Sequence, residues 1–129
     1  MLFIKKSSPK SLGDAAEERA LAYLKKQGLK LVERNYRVAA GPSRHAGEVD
    51  LILGDRDGTL VFVEVRARKS SDQGGAAASV TASKQRRLAY AAQHYLQRFA
   101  TLPPCRFDVV ALDGEQIEWI RAAFDLSGP

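Results

Sequence analysis

The chain has 129 residues, of which 45% are hydrophobic, and one cysteine. Such a length suits one domain with its own core, able to fold without a disulfide or structural metal, and the lone Cys105 points to a cytoplasmic setting. The formal net charge is +5; from Arg66 to Arg98 seven basic side chains stand against one acidic, Asp72, so the surplus lies in that stretch and favours a polyanion such as nucleic acid.

Residues 1–11 read as a loose basic tail. Met-Leu-Phe-Ile followed by Lys5, Lys6 and Lys10 is too short an apolar run for a secretory signal, with its charges on the wrong side. No stretch approaches the roughly 20 apolar residues that cross a bilayer, so a soluble protein without a membrane partner is expected. Ala16, Ala20, Tyr23 and Leu24 recur at helical spacing before Gly28, predicting a helix over 12–27. Leu29 to Val38 reads as a strand, and 40–47 as a loop. Strands over 48–53 and 60–68 flank Gly-Asp-Arg-Asp-Gly, a set of turn formers that closes a hairpin.

Residues 69–80 carry no amphipathic period and read as a mobile loop. A second helix starts near Thr81, with Leu88, Ala92, Tyr95, Leu96 and Phe99 as its apolar stripe, and Pro103 and Pro104 end the element. Strands over 106–112 and 116–121 surround Asp113-Gly114. The order is α-β-β-β-α-β-β, without internal repeats; one domain over 12–124 and a short tail over 125–129 are expected.

The third strand carries the chemistry. Val61, Val63, Val65 and Ala67 form an apolar row on one face. The other row runs Leu60, Phe62, then Glu64, Arg66 and Arg68, as though a buried face opens into a polar site. In the preceding strand Val49, Leu51 and Leu53 alternate with Glu48, Asp50 and Ile52, so Asp50 also interrupts a buried-looking segment. A hairpin centred on Arg56 pairs Asp50 with Phe62 and Glu48 with Glu64, leaving Asp50 and Glu64 diagonal; one pairing step of slip sets them directly opposite. Either register lets one cation sit between them, and without one the two carboxylates repel. Oxygen ligands suit magnesium or manganese, which keep water and engage phosphates. The same residues also read as an ion-pair network of Asp50 and Glu64 with Arg66, Arg68 or Arg37, and spacing leaves both readings open.

His45 and His94 read as solvated, no Cys/His spacing fits zinc, and Tyr23, Tyr95, Phe99 and Trp119 read as packing residues. Asp108 reads as structural.

The segments at 13–24, 47–52 (Gly-Glu-Val-Asp-Leu-Ile), 61–68 (Val-Phe-Val-Glu-Val-Arg-Ala-Arg) and 106–110 (Arg-Phe-Asp-Val-Val) together resemble the YraN-like family of bacterial endonuclease-like proteins, from about Gly13 to Phe124. The resemblance implies an α/β fold with a restriction-endonuclease-like αβββαβ core, a mixed central sheet flanked by helices, as in the PD-(D/E)XK nucleases and similar to archaeal Holliday-junction resolvases. It implies Glu17 rather than Glu18, with Asp50 and Glu64, as acidic site residues, and it places Lys84 near them. The family's Glu-Val-Lys is Glu64-Val65-Arg66 here. Arginine does not deprotonate in proteins, so Arg66 can grip phosphate or stabilise charge but cannot act as a general base.

The expected function is divalent-metal-dependent phosphodiester hydrolysis on DNA, ahead of RNA, with branched DNA suggested by fold analogy alone. Asp50 and Glu64 would be metal ligands, Glu17 and Arg66 would assist, and Arg66, Arg68, Lys84 and Arg87 would hold nucleic acid. The alternatives are a non-catalytic nucleic-acid-binding module and a structural protein whose acidic cluster is an ion-pair network. The resolvase analogy also suggests a homodimer.

Overall fold

The computed structural model describes residues 9–40, 46–67 and 80–125, with side chains from residue 13 onward. Helix α1 (Pro9–Lys26) opens on a proline, whose fixed φ suits a first helical position, three residues earlier than the apolar spacing predicts. Its Ala16, Ala20, Leu21 and Leu24 lie on one face and are buried. Three strands follow, β1 (Lys30–Val38), β2 (Gly47–Gly54) and β3 (Leu60–Ala67), then helix α2 (Ala82–Leu96) and strands β4 (Cys105–Asp113) and β5 (Gln116–Phe124). The Thr81 side chain caps α2 by accepting from the Lys84 amide at 3.2 Å.

The five strands form one sheet in chain order. β3 and β4 are parallel, joined through α2, and all other neighbours are antiparallel. This is the expected α/β architecture, a mixed sheet between two helices, consistent with a restriction-endonuclease-like αβββαβ core. α1 packs on one face against Leu51, Leu53, Val61, Val63, Val110 and Leu112. α2 packs on the other against Val49, Ile52, Phe62, Phe107 and Val109. Gly47 brings the start of β2 hard against α2, since a Cβ there would lie 2.8 Å from the Ala91 amide nitrogen. No helix among the described residues is long and apolar enough to cross a membrane.

Three local expectations are corrected. The hairpin is centred on Asp57 rather than Arg56, so Ile52 faces Phe62 and Leu51 faces Val63. The cause is Gly58: its φ of 90° closes a three-residue loop in which the Asp55 amide donates to the Thr59 carbonyl and the Gly58 amide to the Asp55 carbonyl. The apolar stripe of α2 uses Ala91 as well, and Phe99 lies beyond the helix, 36% exposed. Arg68 and His45 lie outside the described residues.

The third correction concerns alternation in β2. Leu51 and Leu53 pack toward α1 and Ile52 toward α2, as a strand requires. Val49 should lie with Leu51, yet it packs toward α2. β1 changes face at the same level, with Arg34 reaching Glu18 of α1 and Tyr36 and Val38 packing toward α2. Between Arg34↔Leu51 and Tyr36↔Val49 the register sets Asn35 opposite Asp50, and Asn35 has a left-handed φ of 51°. One left-handed residue turns the chain, so its neighbours come to opposite faces of the sheet. Asp50 therefore stands at a crossover between the two layers rather than on either face.

Candidate functional site

The continuous β2–β3 pairing ends at Leu51↔Val63. One residue further Asp50 Oδ2 accepts from the Val65 amide at 2.8 Å, so a side chain takes the place of the ladder where the strands part. Glu64 follows Phe62 on the α2 side of β3, and the observed centre of the hairpin sets it opposite Asp50. The two carboxyl groups lie close enough for each to act on the titration of the other. α1 brings Glu17 from the opposite layer, close enough for the Asp50 charge to act on it.

These three side chains line one pocket of about 190 Å³ with Gly13, Ala16 and Glu48, and with Arg66, Lys84 and Arg87 as its cations. That volume is below the roughly 300 Å³ at which small-molecule pockets begin; it suits a hydrated ion and one phosphoryl group better than a whole nucleotide. The amino-terminal turn of α2, with its partial positive charge, supplies Lys84.

All three carboxylates are poorly served. Burial, and then the Asp50 charge, push Glu17 up to about 7, and its Oε1 is buried with no hydrogen-bond partner among the described residues. Burial and the Asp50 charge raise Glu64 in the same way, and burial raises Asp50 despite the Val65 amide. The nearest cations do not balance this: Lys84 Nζ stands 3.8 Å from Glu64 Oε2 and Arg66 NH1 stands 3.9 Å from it, both longer than a charge-assisted hydrogen bond. Arg66 Nε is also buried without a hydrogen-bond partner among the described residues. Both signs of charge are held in place with donors and acceptors unused.

Glu18 points elsewhere: it is exposed and paired with Arg34 at 2.7 Å. Arg87 pairs with Glu48 at 3.2 Å, and Arg37 joins the same carboxylate at 3.3 Å, forming the rim. The pocket thus gathers Glu17, Asp50, Glu64, Arg66, Lys84 and Arg87, and its network includes Glu48, which spacing did not single out although it sits two residues before Asp50. His94 is not solvated alone, since its Nδ1 lies 2.6 Å from the Tyr36 hydroxyl.

Among the described residues no group of three or more His, Cys, Asp and Glu side chains is arranged to hold a metal ion. The donor set fits a narrower demand. Asp50 and Glu64 offer two hard oxygen donors, within the one or two carboxylates by which magnesium is usually held while water and substrate phosphate complete its octahedron.

The model of the uncharacterised protein family UPF0102 matches residues 16–112. A UPF0102 protein of Methylibium petroleiphilum is 66% identical over 118 residues, covering 92% of this chain and 97% of that protein. One from Paracidovorax citrulli is 55% identical over 121 residues, covering 94% and 87%. One from Cupriavidus metallidurans is 58% identical over 120 residues, covering 93% and 85%.

Proposed function

The chain belongs to the UPF0102 family, and from that premise we propose that its pocket hydrolyses phosphodiester bonds in DNA with the help of a divalent cation, magnesium or manganese. The observation that carries this reading is the convergence of Glu17, Asp50 and Glu64, from three separate elements, into one pocket where each is held above its ordinary protonation range beside fixed cations. The pocket's nearest cations stand 3.8 and 3.9 Å from Glu64, and Glu17 Oε1 and Arg66 Nε have no hydrogen-bond partner among the described residues. Perturbed ionisable groups gathered in a cleft beside specific charge partners are a physical signature of functional sites.

In this reading Asp50 and Glu64 would hold the cation, Asp50 being fixed by the Val65 amide. A divalent cation held there would supply polarisation of a phosphoryl oxygen and a more acidic water. Glu17 faces the pair from α1 and accepts a proton, a role for which a group near neutrality is suited. Arg66 and Lys84 neutralise the phosphate, Arg66 through donors that cannot lose their protons. Arg87 and Arg68 extend the binding of the strand.

The test is cleavage of linear, single-stranded and four-way-junction DNA with manganese or magnesium, beside Asp50→Asn and Glu64→Gln. Metal-dependent cutting lost in both variants is the expected result. A second reading, a nucleic-acid-binding module without catalysis, is favoured by Arg66 standing where a lysine is expected; salt-sensitive binding with no cutting under any metal would select it.

A further inference from the structure

We propose that the seam where α2 meets β1 and the start of β2 is a track for a single-stranded nucleic-acid arm, which leaves the pocket along it and stacks a base on Arg98. The proposal rests on the reading of the pocket as a phosphodiester site and names the kind of DNA end that the site takes.

Charge marks the seam first. From Gln73 to Phe107 the sequence holds no Asp or Glu, while Lys84, Arg86, Arg87, Arg98 and Arg106 stand within that stretch. The first turn of α2 carries no acid, and Lys84, Arg86 and Arg87 follow at once, where the helix dipole disfavours cations. Arg87, Ala91, His94 and Arg98 recur at intervals of four, three and four, so they share one stripe, which the helical conformation of Gln97 carries past the end of α2. That stripe meets the sheet edge. Arg87 reaches Glu48 at 3.2 Å, the glycine at 47 lets β2 approach the Ala91 backbone, and His94 Nδ1 lies 2.6 Å from the Tyr36 hydroxyl. Arg37 shares Glu48 with Arg87, so two guanidinium groups meet one carboxylate and leave a positive surplus.

The far end of the seam has a different chemistry. Arg98 is exposed, yet its guanidinium is held in one pose: Nε donates to the Tyr95 carbonyl at 3.1 Å, and Cζ stands 3.8 Å over the Tyr95 ring and 5.7 Å from the centre of the Tyr36 ring. Tyr95 backs one face of this plane and the other is open to solvent. Phe99, 36% exposed and 6.0 Å from Tyr95 between ring centres, extends the apolar floor. A guanidinium plane backed by rings is a surface on which an unstacked base lies; the bases inside a duplex have no free face to offer it. From Arg87 to Arg98 the helical rise covers about 16 Å, the length of about five phosphates at stacked spacing.

The test is a fluorescence anisotropy titration of the full chain in chelator, where nothing is cut. Three DNAs are compared: a blunt duplex, the same duplex with an overhang of about six nucleotides, made in both polarities, and that overhang without its bases. Wild type stands beside Arg98→Ala, Arg98→Lys, which keeps the charge and loses the plane, and Arg121→Ala. The last removes another exposed guanidinium, 4.2 Å over the Trp119 ring on β5, at the opposite edge of the sheet. Wild type should prefer the overhang of one polarity to the blunt end on the order of tenfold, the gain expected from one stacked base. The baseless overhang and both Arg98 variants should lose that gain, and Arg121→Ala should keep it. Equal wild-type affinity for blunt and overhanging DNA, a gain that survives in either Arg98 variant, or an equal loss in Arg121→Ala overturns the track, as does a wild type that binds none of these DNAs. A protein that prefers the overhang through Arg98 but cuts nothing with any metal keeps the track and loses the nuclease reading; metal-dependent cutting without that preference does the reverse.

Discussion

Asp50 and Asp108 perform the same backbone task at two places in the sheet. Asp50 accepts the Val65 amide where β2 and β3 part, and Asp108 accepts the Ala122 amide at 2.9 Å where the β4–β5 register shifts. Their surroundings then diverge. Asp108 is fully buried and also takes Trp119 Nε1 at 2.9 Å and Arg106 Nε at 3.1 and 3.2 Å, while Arg106 reaches on to Asp55 at 3.1 Å. Asp50 instead meets two further carboxylates and, among the described residues, no cation at ion-pair distance. A buried charge matched by donors serves the fold; a cluster of like charges left unmatched lowers stability and persists where function requires it.

The comparison is most exposed to failure at Asp108. Asp108→Ala strands the Arg106 guanidinium and the Trp119 and Ala122 donors, so a loss of about 3–5 kcal/mol is expected in denaturant unfolding. Asp50→Asn keeps an acceptor for Val65 and relieves repulsion, so its stability should stay within about 1 kcal/mol of wild type. Equal losses in the two variants would erase the distinction. In activity the order reverses: Asp50→Asn should lower cleavage by more than about 100-fold, beyond the range of outer-residue effects, while a soluble, folded charge-preserving variant such as Arg106→Lys keeps it.

The cations of the pocket make a smaller contribution. Removing Arg66 or Lys84 should each reduce the slope of log affinity against log salt by about 1, measured by DNA-binding titrations at several salt concentrations. Glu18→Gln, which breaks only the exposed pair with Arg34, should leave that slope unchanged.

The smallest effect is on pH dependence. Glu17 is raised from 4.5 to about 7 in the folded state, so the folded chain holds this proton more tightly than the unfolded chain. Its contribution is fully present below about 4.5 and is lost as pH rises through about 7. Thermal unfolding with a chelator should therefore show stability declining across that window, with a shallower decline in Glu17→Gln. An unchanged slope would place Glu17 in a better-solvated setting than the pocket provides.

Element order and the two carboxylates on β2 and β3 were legible because alternation and turn composition act locally. The hairpin centre was not, since it depends on which turn residue takes the left-handed conformation, and Gly58 does so. The face change at Asn35 and Asp50 was hidden for a related reason: Val49-Asp50-Leu51 alternates in sequence even though the chain turns beneath it. Glu17 came from family resemblance, because a glutamate one position from another on a helix says nothing by spacing about which is inward. Asp108 was legible as structural from its place in an apolar strand, but Trp119, Ala122 and Arg106 as its partners required the tertiary fold.

The central claim is that the acidic pocket is built for a divalent cation, and the most direct test is the manganese dependence of thermal unfolding at pH 7.5 for wild type, Asp50→Asn and Glu64→Gln. A site that binds only the folded chain adds about 2.7 kcal/mol when the ion stands at a hundred times its dissociation constant. The account predicts a rise in the wild-type midpoint that both variants lose. A midpoint that manganese leaves unmoved in wild type, or raises equally in all three proteins, would contradict it.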